Sequence, residues 1–202
     1  MGTIKALDGN AAIAYGVMRS KVQLVAAYPI TPQTPIVETI SSLIDTKQYD
    51  ATYITVESEH SALSAVIGAA STGVRTFTAS ASHGLALMHE VTGVTSASRL
   101  PVVMAVVSRA IPGPMCLWCD HSDIMTQRDQ GWIQLFAQSP QEALDMTMIA
   151  YRTSEDARVL IPTMVDIDGF FCSHLTEPVN VPTVEEAEQF IQEFKPVNAW
   201  LD

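Results

Sequence analysis

The stretch VRTFTASASHGLALMHEVTGVTSASRLPVVMAVVS, residues 74–108, decides the fold class. It begins with a short run rich in β-branched residues at 74–80, continues as a helical pattern at 84–98, and ends in a continuous apolar run at 101–108. A strand without polar alternation is buried on both faces, and a helix between two such strands is the usual parallel crossover. The stretch therefore predicts a strand–helix–strand unit of a parallel sheet.

The same alternation extends in both directions from this unit. The predicted strands cover 22–28, 51–57, 74–80, 101–108, 133–137 and 157–166, and the predicted helices cover 34–44, 60–72, 84–98 and 140–156. We therefore expect an α/β domain with a doubly wound, mostly parallel sheet and helices on both faces. This domain should span residues 1–182, and residues 183–202 should form an acidic helix and a tail.

The composition excludes several classes of function. The formal net charge of −11 over 202 residues argues against nucleic acids and membrane surfaces as partners, because both reward clustered Lys and Arg. No apolar run approaches the roughly 18 residues of a membrane span. The amino terminus has no signal-peptide pattern, and three cysteines without such a signal indicate free thiols in a reducing compartment. We therefore expect a cytoplasmic protein.

Two short motifs raise the question of a metal or redox site. CLWC, residues 116–119, has the spacing of a redox pair or of half a metal site, and DHSD, residues 120–123, carries carboxylates beside an imidazole. A metal would need further ligands, and Arg128 with the flanking tryptophans favours a self-paired loop or an interface. We expect no metal in this chain.

Polar or turn-forming segments follow four of the predicted strands. They are PITPQT at 29–34, ESEH at 57–60, SASHG at 80–84 and RAIPGP at 109–114. Ligands of doubly wound sheets bind beyond the carboxyl ends of the strands. Since neither GxxxxGK[ST] nor GxGxxG occurs, these four segments are where a ligand site is expected.

Glu59 and Arg109 are the charged candidates at this edge. Glu59 fits two interpretations equally well, a first-turn acid favoured by the helix dipole or a buried, protonated carboxyl that donates a hydrogen bond. Arg109 directly follows a buried strand, where a guanidinium needs an anion. Either a structural salt bridge or an anionic substrate would supply that anion.

The segment around Ser82 and His83 is the next candidate. Its small side chains let a ligand approach the backbone, and a helix amino terminus favours anions. A lone histidine in such a loop is more often a structural hydrogen-bonding group than a base. We include Ser82 and His83 among the expected cofactor contacts.

Several long motifs together carry a family resemblance. YPITPQTP at 28–35, the 34 residues from ESEHSALS to LMHE at 57–90, VVSRA at 106–110 and DHSDIMTQRDQGWIQLFAQSPQEALD at 120–145 occur in this order. The chain resembles the alpha subunits of 2-oxoacid:ferredoxin oxidoreductases of the pyruvate type. The resemblance implies a thiamine diphosphate-binding fold, of which this domain binds the pyrimidine half.

The resemblance also implies residue roles. Glu59 matches the glutamate that hydrogen-bonds the pyrimidine N1′, and Arg109 matches the arginine that pairs with the substrate carboxylate. Thr31 matches the threonine whose hydroxyl contacts the substrate. The preceding residues line the same pocket and are expected cofactor contacts: Tyr28, Pro29 and Ile30. Pro29 and Pro32 restrict the turn and should hold Thr31 rigidly.

By resemblance, the activity belongs to a complex. It is the oxidative decarboxylation of a 2-oxo acid to acyl-CoA and CO₂, with electrons passed to ferredoxin. The implied partners are a diphosphate-binding beta subunit with Mg²⁺, and gamma and ferredoxin-like delta subunits, with [4Fe–4S] clusters in partner subunits. Coenzyme A takes the acyl group. Relatives continue near Lys195, so the tail should lead toward a second domain.

Pyruvate is the expected substrate, and several alternatives remain open. They are 2-oxoisovalerate, 2-oxoglutarate, an aryl-2-oxo acid or oxalate in the same family. A transketolase-like thiamine enzyme without iron–sulfur clusters would share the domain type. A non-catalytic interaction subunit would keep the fold, although the set of Thr31, Glu59 and Arg109 argues against it.

Overall fold

Residues 74–108 form the centre of a parallel sheet, as predicted. The computed structural model describes residues 2–113 and 115–197. Its strands are β1 (Thr3–Leu7), β2 (Leu24–Ala26), β3 (Thr52–Ile54), β4 (Thr76–Ser80), β5 (Val103–Ser108), β6 (Ile133–Ala137), β7 (Thr163–Asp168) and β8 (Glu177–Val181). Its helices are α1 (Gly9–Arg19), α2 (Thr34–Asp45), α3 (Glu59–Ala70), α4 (Ser82–Leu87), α5 (His89–Ala97), α6 (Ser122–Met125), α7 (Pro140–Ser154), α8 (Phe171–His174) and α9 (Val184–Ile191).

The main sheet has the order β3-β2-β4-β5-β7-β6, and every neighbouring pair in it is parallel. Strand β5 shows how both faces are covered. Val103, Ala105 and Val107 pack in one apolar cluster with α1, α2 and α7, whereas Met104 and Val106 pack in the other with α3, α4 and α5. The predicted doubly wound α/β fold is confirmed.

A second, two-stranded sheet lies outside the prediction. Strands β1 and β8 pair antiparallel, from Thr3 opposite Val181 to Leu7 opposite Glu177. Strand β1 is mostly exposed and has no continuous apolar run, so its local sequence carries no strong strand signal. Only the partner strand, distant in the sequence, makes it a strand.

Two predicted elements differ from the observed ones. The helix at 84–98 is two helices, because the Met88 amide donates to the carbonyls of both Gly84 and Leu85 and tightens the turn. The strand at 157–166 begins only at Thr163 and runs to Asp168. Leu160 has a φ of 46° and Pro162 has no N–H to donate, so the segment before Thr163 cannot continue the ladder.

Helix α9 occupies part of the segment predicted as an acidic helix. Its Ala187 and Ile191 are 1% and 3% exposed and join the core cluster of α1 and α7. The division at residue 182 remains a prediction, and the predicted tail at 198–202 lies outside the described residues, as does Pro114. Within the described ranges, every helix is too short or too polar to cross a membrane.

Candidate functional site

The loops that follow β2, β3, β4 and β5 meet at the carboxyl edge of the sheet. Arg109 Nη1 donates to the Thr31 carbonyl at 2.8 Å, joining the loops after β5 and β2. Ser82 Oγ donates to the Ala110 carbonyl at 2.8 Å, joining the loops after β4 and β5. This is the edge at which the sequence predicts a ligand.

Glu59 begins α3, just after the helix cap. The Ser58 hydroxyl caps the helix by accepting from the Ser61 amide at 3.2 Å. The Glu59 side chain is 8% exposed, and no hydrogen bond or ion pair joins it to any other residue in the described ranges. Buried carboxyl groups nearly always have a partner. Glu59 is therefore a largely buried acid whose carboxyl has no partner among the described residues.

Glu57, two residues before Glu59, has a different environment. It is exposed and accepts a hydrogen bond from the Ser61 hydroxyl at 2.6 Å. That hydrogen bond lowers the pKa of Glu57. Glu57 therefore precedes the helix cap and lies in solvent, whereas Glu59 is both a first-turn acid of α3 and a buried side chain.

Gly84 leaves room for the Glu59 carboxyl. A Cβ at position 84 would lie 2.5 Å from Glu59 Oε1 and 2.6 Å from Ser80 Oγ. The Ser80 hydroxyl is buried and also lacks a hydrogen-bond partner in the part of the chain that the structure describes. Two unpartnered polar groups therefore converge beside a backbone that carries no side chain. The small residues of SASHG were the signal for this close approach, although the specific roles of Gly84 and Ser80 were missed.

Gly84→Ala is expected to impair the site, because the added methyl must push the Glu59 carboxyl aside. Overpacking of this kind costs about 1–3 kcal/mol, and thiamine diphosphate affinity of the assembled complex should fall by about 5- to 100-fold. Calorimetric titration with thiamine diphosphate measures it.

Gly68→Ala is the matched control for this substitution. A Cβ at Gly68 on α3 would meet nothing within 4 Å. That change should stabilise the helix by roughly 0.5–1 kcal/mol and leave affinity unchanged. Equal affinities of the two variants would show that Gly84 does not make room for a functional carboxyl.

The turn from Tyr28 to Pro32 presents Thr31 at the surface. The Thr31–Pro32 peptide bond is cis. The Pro32 carbonyl accepts from Asn10 Nδ2 at 3.2 Å, and the Ile30 amide donates to Gln33 Oε1 at 3.2 Å. Thr31 is exposed, and its hydroxyl bonds to no residue of the described ranges. Buried Asn10 and Gln33, which sequence reasoning missed, therefore hold the turn together with its prolines.

The predicted cofactor contacts in this turn differ in exposure. Tyr28 is 38% exposed, Pro29 is exposed, and Ile30 is half-buried. All three stand beside Thr31 at the carboxyl edge. Their contact with a cofactor remains a prediction.

Arg109 is buried, with 6% of its surface exposed. Its Nε donates to the Cys116 carbonyl and its Nη1 to the Thr31 carbonyl, both at 2.8 Å. Among the described residues no carboxylate forms an ion pair with it, so the salt-bridge interpretation is wrong there. A buried guanidinium whose charge is met only by carbonyl oxygens is suited to bind an anion.

Ser82 serves the scaffold of the site. It has a φ of 48°, and its amide donates to Asp123 Oδ2 at 2.8 Å. Exposed His83 lies beside it, with Nδ1 3.2 Å from Ser82 Oγ. The hydrogen-bonding groups of Ser82 are thus used inside the chain. Its predicted contact with a cofactor, like that of His83, remains a prediction.

The DHSD segment is ordered by one hydrogen bond within it and by polar contacts to the surrounding elements. Asp120 accepts from the Ser122 amide at 2.8 Å. His121 Nδ1 lies 2.8 Å from Asp166 Oδ2, and fully buried Asp123 accepts from the amides of Ser82 and Arg109. Within the described ranges no group of three ligating side chains is arranged for a metal ion. The two cysteines of CLWC are free thiols.

An exposed apolar patch borders the site. It surrounds a cavity of about 430 Å³ lined by Leu117, Trp118, Cys119, Asp168, Phe170 and Phe171. Trp118 and Phe171 are 81% and 71% exposed. Large exposed apolar clusters on soluble domains usually mark contact surfaces.

Residues 15–200 match the family model described as pyruvate flavodoxin/ferredoxin oxidoreductase, thiamine diphosphate-binding. The chain is 48% identical over 198 residues to pyruvate synthase subunit PorA of Pyrococcus furiosus, covering 98% of this chain and 50% of the relative. It is 46% identical over 198 residues to ketoisovalerate oxidoreductase subunit VorA of Pyrococcus horikoshii, with the same coverage. The chain thus spans about half the length of these relatives.

A solved structure shares the fold. It is the 2-oxoglutarate:ferredoxin oxidoreductase from Magnetococcus marinus with 2-oxoglutarate, coenzyme A and succinyl-CoA bound. The match has a TM-score of 0.80 at 23% identity and covers 91% of this chain and 32% of that one. At this identity the match supports the fold alone.

Proposed function

The chain belongs to the thiamine diphosphate-binding domain family of the pyruvate flavodoxin/ferredoxin oxidoreductases, and from this premise we propose that it supplies the pyrimidine-binding half of the active site of a pyruvate:ferredoxin oxidoreductase. The observation that carries the proposal is the Glu59 carboxyl, buried beside Gly84 and without a partner in residues 2–113 and 115–197. A ring nitrogen of the pyrimidine would give this carboxyl the hydrogen bond that none of these residues provides.

The residues at the carboxyl edge fit such a cofactor. Glu59 would hold the pyrimidine by its ring nitrogen, and the missing side chain at Gly84 leaves room for the Glu59 carboxyl to take that position. Bound thiamine diphosphate supplies the electron sink that decarboxylation of a 2-oxo acid requires. Glu59 contributes a positioned proton-exchanging group, which is the role that general acid–base catalysis needs.

Arg109 and Thr31 would bind the substrate. The guanidinium is held by two carbonyl oxygens and has no carboxylate of its own among the described residues. A 2-oxo acid would bring the missing carboxylate, and the exposed Thr31 hydroxyl would hydrogen-bond the substrate beside it. The two residues are already joined through the Thr31 carbonyl, so the clamp needs no rearrangement before the substrate binds.

The complete activity requires partners. The diphosphate and Mg²⁺ would be held by a beta subunit, and gamma and ferredoxin-like delta subunits would complete the complex with its [4Fe–4S] clusters. Coenzyme A would accept the acyl group and ferredoxin the electrons. Trp118 and Phe171 beside the site are exposed, which supports the proposal that this patch is buried against another subunit.

The free cysteines support the proposal of a cytoplasmic location.

The experiment that tests the proposal is a substrate panel. The complex that co-purifies with the chain is assayed with pyruvate, 2-oxoisovalerate, 2-oxoglutarate and an aryl-2-oxo acid, each with coenzyme A and a viologen dye. We expect the highest kcat/KM with pyruvate. The nearly equal identity to PorA and VorA relatives makes 2-oxoisovalerate the second candidate.

Two outcomes would contradict this assignment. Absence of dye reduction with every acid would exclude a 2-oxo acid oxidoreductase. An active complex that lacks iron–sulfur absorbance would instead support a transketolase-like enzyme.

A further inference from the structure

Two buried carboxyls flank the end of β5. The Ser108 hydroxyl lies 2.8 Å from Asp123 Oδ1 and 2.5 Å from Asp166 Oδ1. Asp123 and Asp166 are 0% and 1% exposed. On the outer side, His121 Nδ1 lies 2.8 Å from Asp166 Oδ2, and its ring is partly exposed. We call the row from His121 through Asp166 and Ser108 to Asp123 the carboxyl chain.

The inner end of the carboxyl chain holds the candidate site. Asp123 Oδ2 accepts from the amides of Ser82 at 2.8 Å and of Arg109 at 2.9 Å. One carboxylate oxygen therefore ties together the loops that follow β4 and β5. The position of the Arg109 backbone sets where its guanidinium lies, so Asp123 acts on the anion clamp through Arg109.

We propose that the carboxyl chain holds one proton between its two aspartates, and that this proton keeps Arg109 in position for the substrate carboxylate. The claim about the proton rests on the geometry of the carboxyl chain. The claim about the substrate rests on the proposed function.

The carboxyl chain has too few hydrogens for both of its aspartates to be ionised. A hydroxyl has one hydrogen, so Ser108 donates to only one of the two aspartates. If both carboxyls were ionised, one short oxygen–oxygen contact would have no hydrogen in it, and two negative charges would be buried together. One aspartate must therefore donate to Ser108 Oγ, and Ser108 then donates to the other.

Asp166 is the aspartate that carries the proton. Asp123 accepts three backbone N–H bonds, from Ser82, Arg109 and Ile124, so its two oxygens already have hydrogens directed at them without a proton of their own. Burial raises the pKa of Asp166 to about 7, although the hydrogen bond from Ser108 and the charge of His121 oppose the rise. Below about pH 7, Asp166 is mostly protonated and donates to Ser108.

The other groups around Asp166 leave this assignment unchanged. Strands β5 and β6, which flank β7, carry no charged side chain. The segment around α6 places Asp123 and His121 close to Asp166. Asp168 lies two residues after Asp166 on β7. Helix α8 contributes Cys172, and burial raises the pKa of its thiol to about 12, so it stays neutral. Helix α7 packs on the opposite face of β7.

Asp166→Asn tests the proton, because an amide donates to Ser108 at every pH. Because the pKa of Asp166 is raised in the folded state to about 7, its proton stabilises the folded wild type. This contribution is complete below the ordinary aspartate pKa of about 3.9 and is lost as the pH rises toward and through about 7. Thermal unfolding of the assembled complex should therefore show Asp166→Asn gaining on wild type between about pH 5 and about pH 8. Asp145→Asn, at an exposed acid of α7, is the matched control and should show no such gain.

The same variant tests the positioning role. As the pH rises from about 6 to about 8, the ratio of the wild-type KM for the 2-oxo acid to that of Asp166→Asn should increase about threefold or more, with little change in the ratio of kcat. Comparing the two enzymes at each pH cancels the effects of the other titrating groups, because both enzymes contain them.

Each outcome decides one claim. A stability difference between wild type and Asp166→Asn that stays constant with pH would contradict the proton shared by the two aspartates. A stability difference that grows with pH, together with a KM ratio that stays constant, would contradict the role of the proton in positioning Arg109. If wild type turns over no 2-oxo acid, the proposed function fails, while the unfolding measurement still decides the proton.

Discussion

Glu59→Gln is expected to lower the turnover of the assembled complex by about 10²–10⁴-fold, the contribution typical of a positioned acid–base group. Glutamine keeps the size and the buried position of the side chain, but its amide cannot exchange a proton with a ring nitrogen. The measurement is kcat for 2-oxo acid-dependent dye reduction at saturating thiamine diphosphate, with subunit assembly followed by size-exclusion chromatography.

Glu57→Gln is the matched control, two residues away. Glu57 is exposed and bonds the Ser61 hydroxyl at 2.6 Å, so its replacement should leave turnover unchanged. Wild-type turnover in an assembled Glu59→Gln complex would support a non-catalytic subunit and contradict the proposed role.

Arg109→Lys is expected to raise the KM for the 2-oxo acid by about 10–10²-fold, the effect of losing a charged hydrogen bond worth about 1.5–3 kcal/mol. A lysine has one ammonium group. It cannot bond the carbonyls of Cys116 and Thr31 in the directions of Nε and Nη1 and also reach a carboxylate. Initial rates over a range of substrate concentration give KM and kcat separately.

Arg128→Lys controls for the loss of a guanidinium as such. Arg128 is exposed, and its Nη2 lies 3.6 Å from a carboxylate oxygen of Asp129. Its replacement should leave KM unchanged. An Arg109→Lys enzyme with wild-type KM would exclude a substrate clamp at this position.

The parallel sheet could be predicted because its signals are local. The apolar runs at 101–108 and 133–137 are each one buried strand, and the latter has the predicted bounds. Strands β1 and β8 were missed because each becomes a strand only through the other, at the opposite end of the described chain. Local pattern contains no information about such a pairing.

The candidate site was predictable in part for the same reason. Arg109 directly follows β5, and Glu59 begins the helix that follows β3, so the rule that ligands bind at the carboxyl edge selected both. The burial of Glu59 was undecided from spacing, since Glu57 stands in an almost identical context. Three-dimensional packing separated them. Ser108 and Asp166 were missed because they belong to neighbouring strands, and only the strand order places their side chains in contact.

The way in which Arg109 is anchored bears on how such a protein changes through evolution. Both of its side-chain bonds end on main-chain carbonyl oxygens, those of Thr31 and Cys116. Every amino acid carries that same oxygen, so mutations in these two loops can replace side chains without removing an anchor. With Arg109 in its proposed role, descendants of one ancestral gene could diverge in the acid they prefer while inheriting an unchanged binding site for its carboxylate.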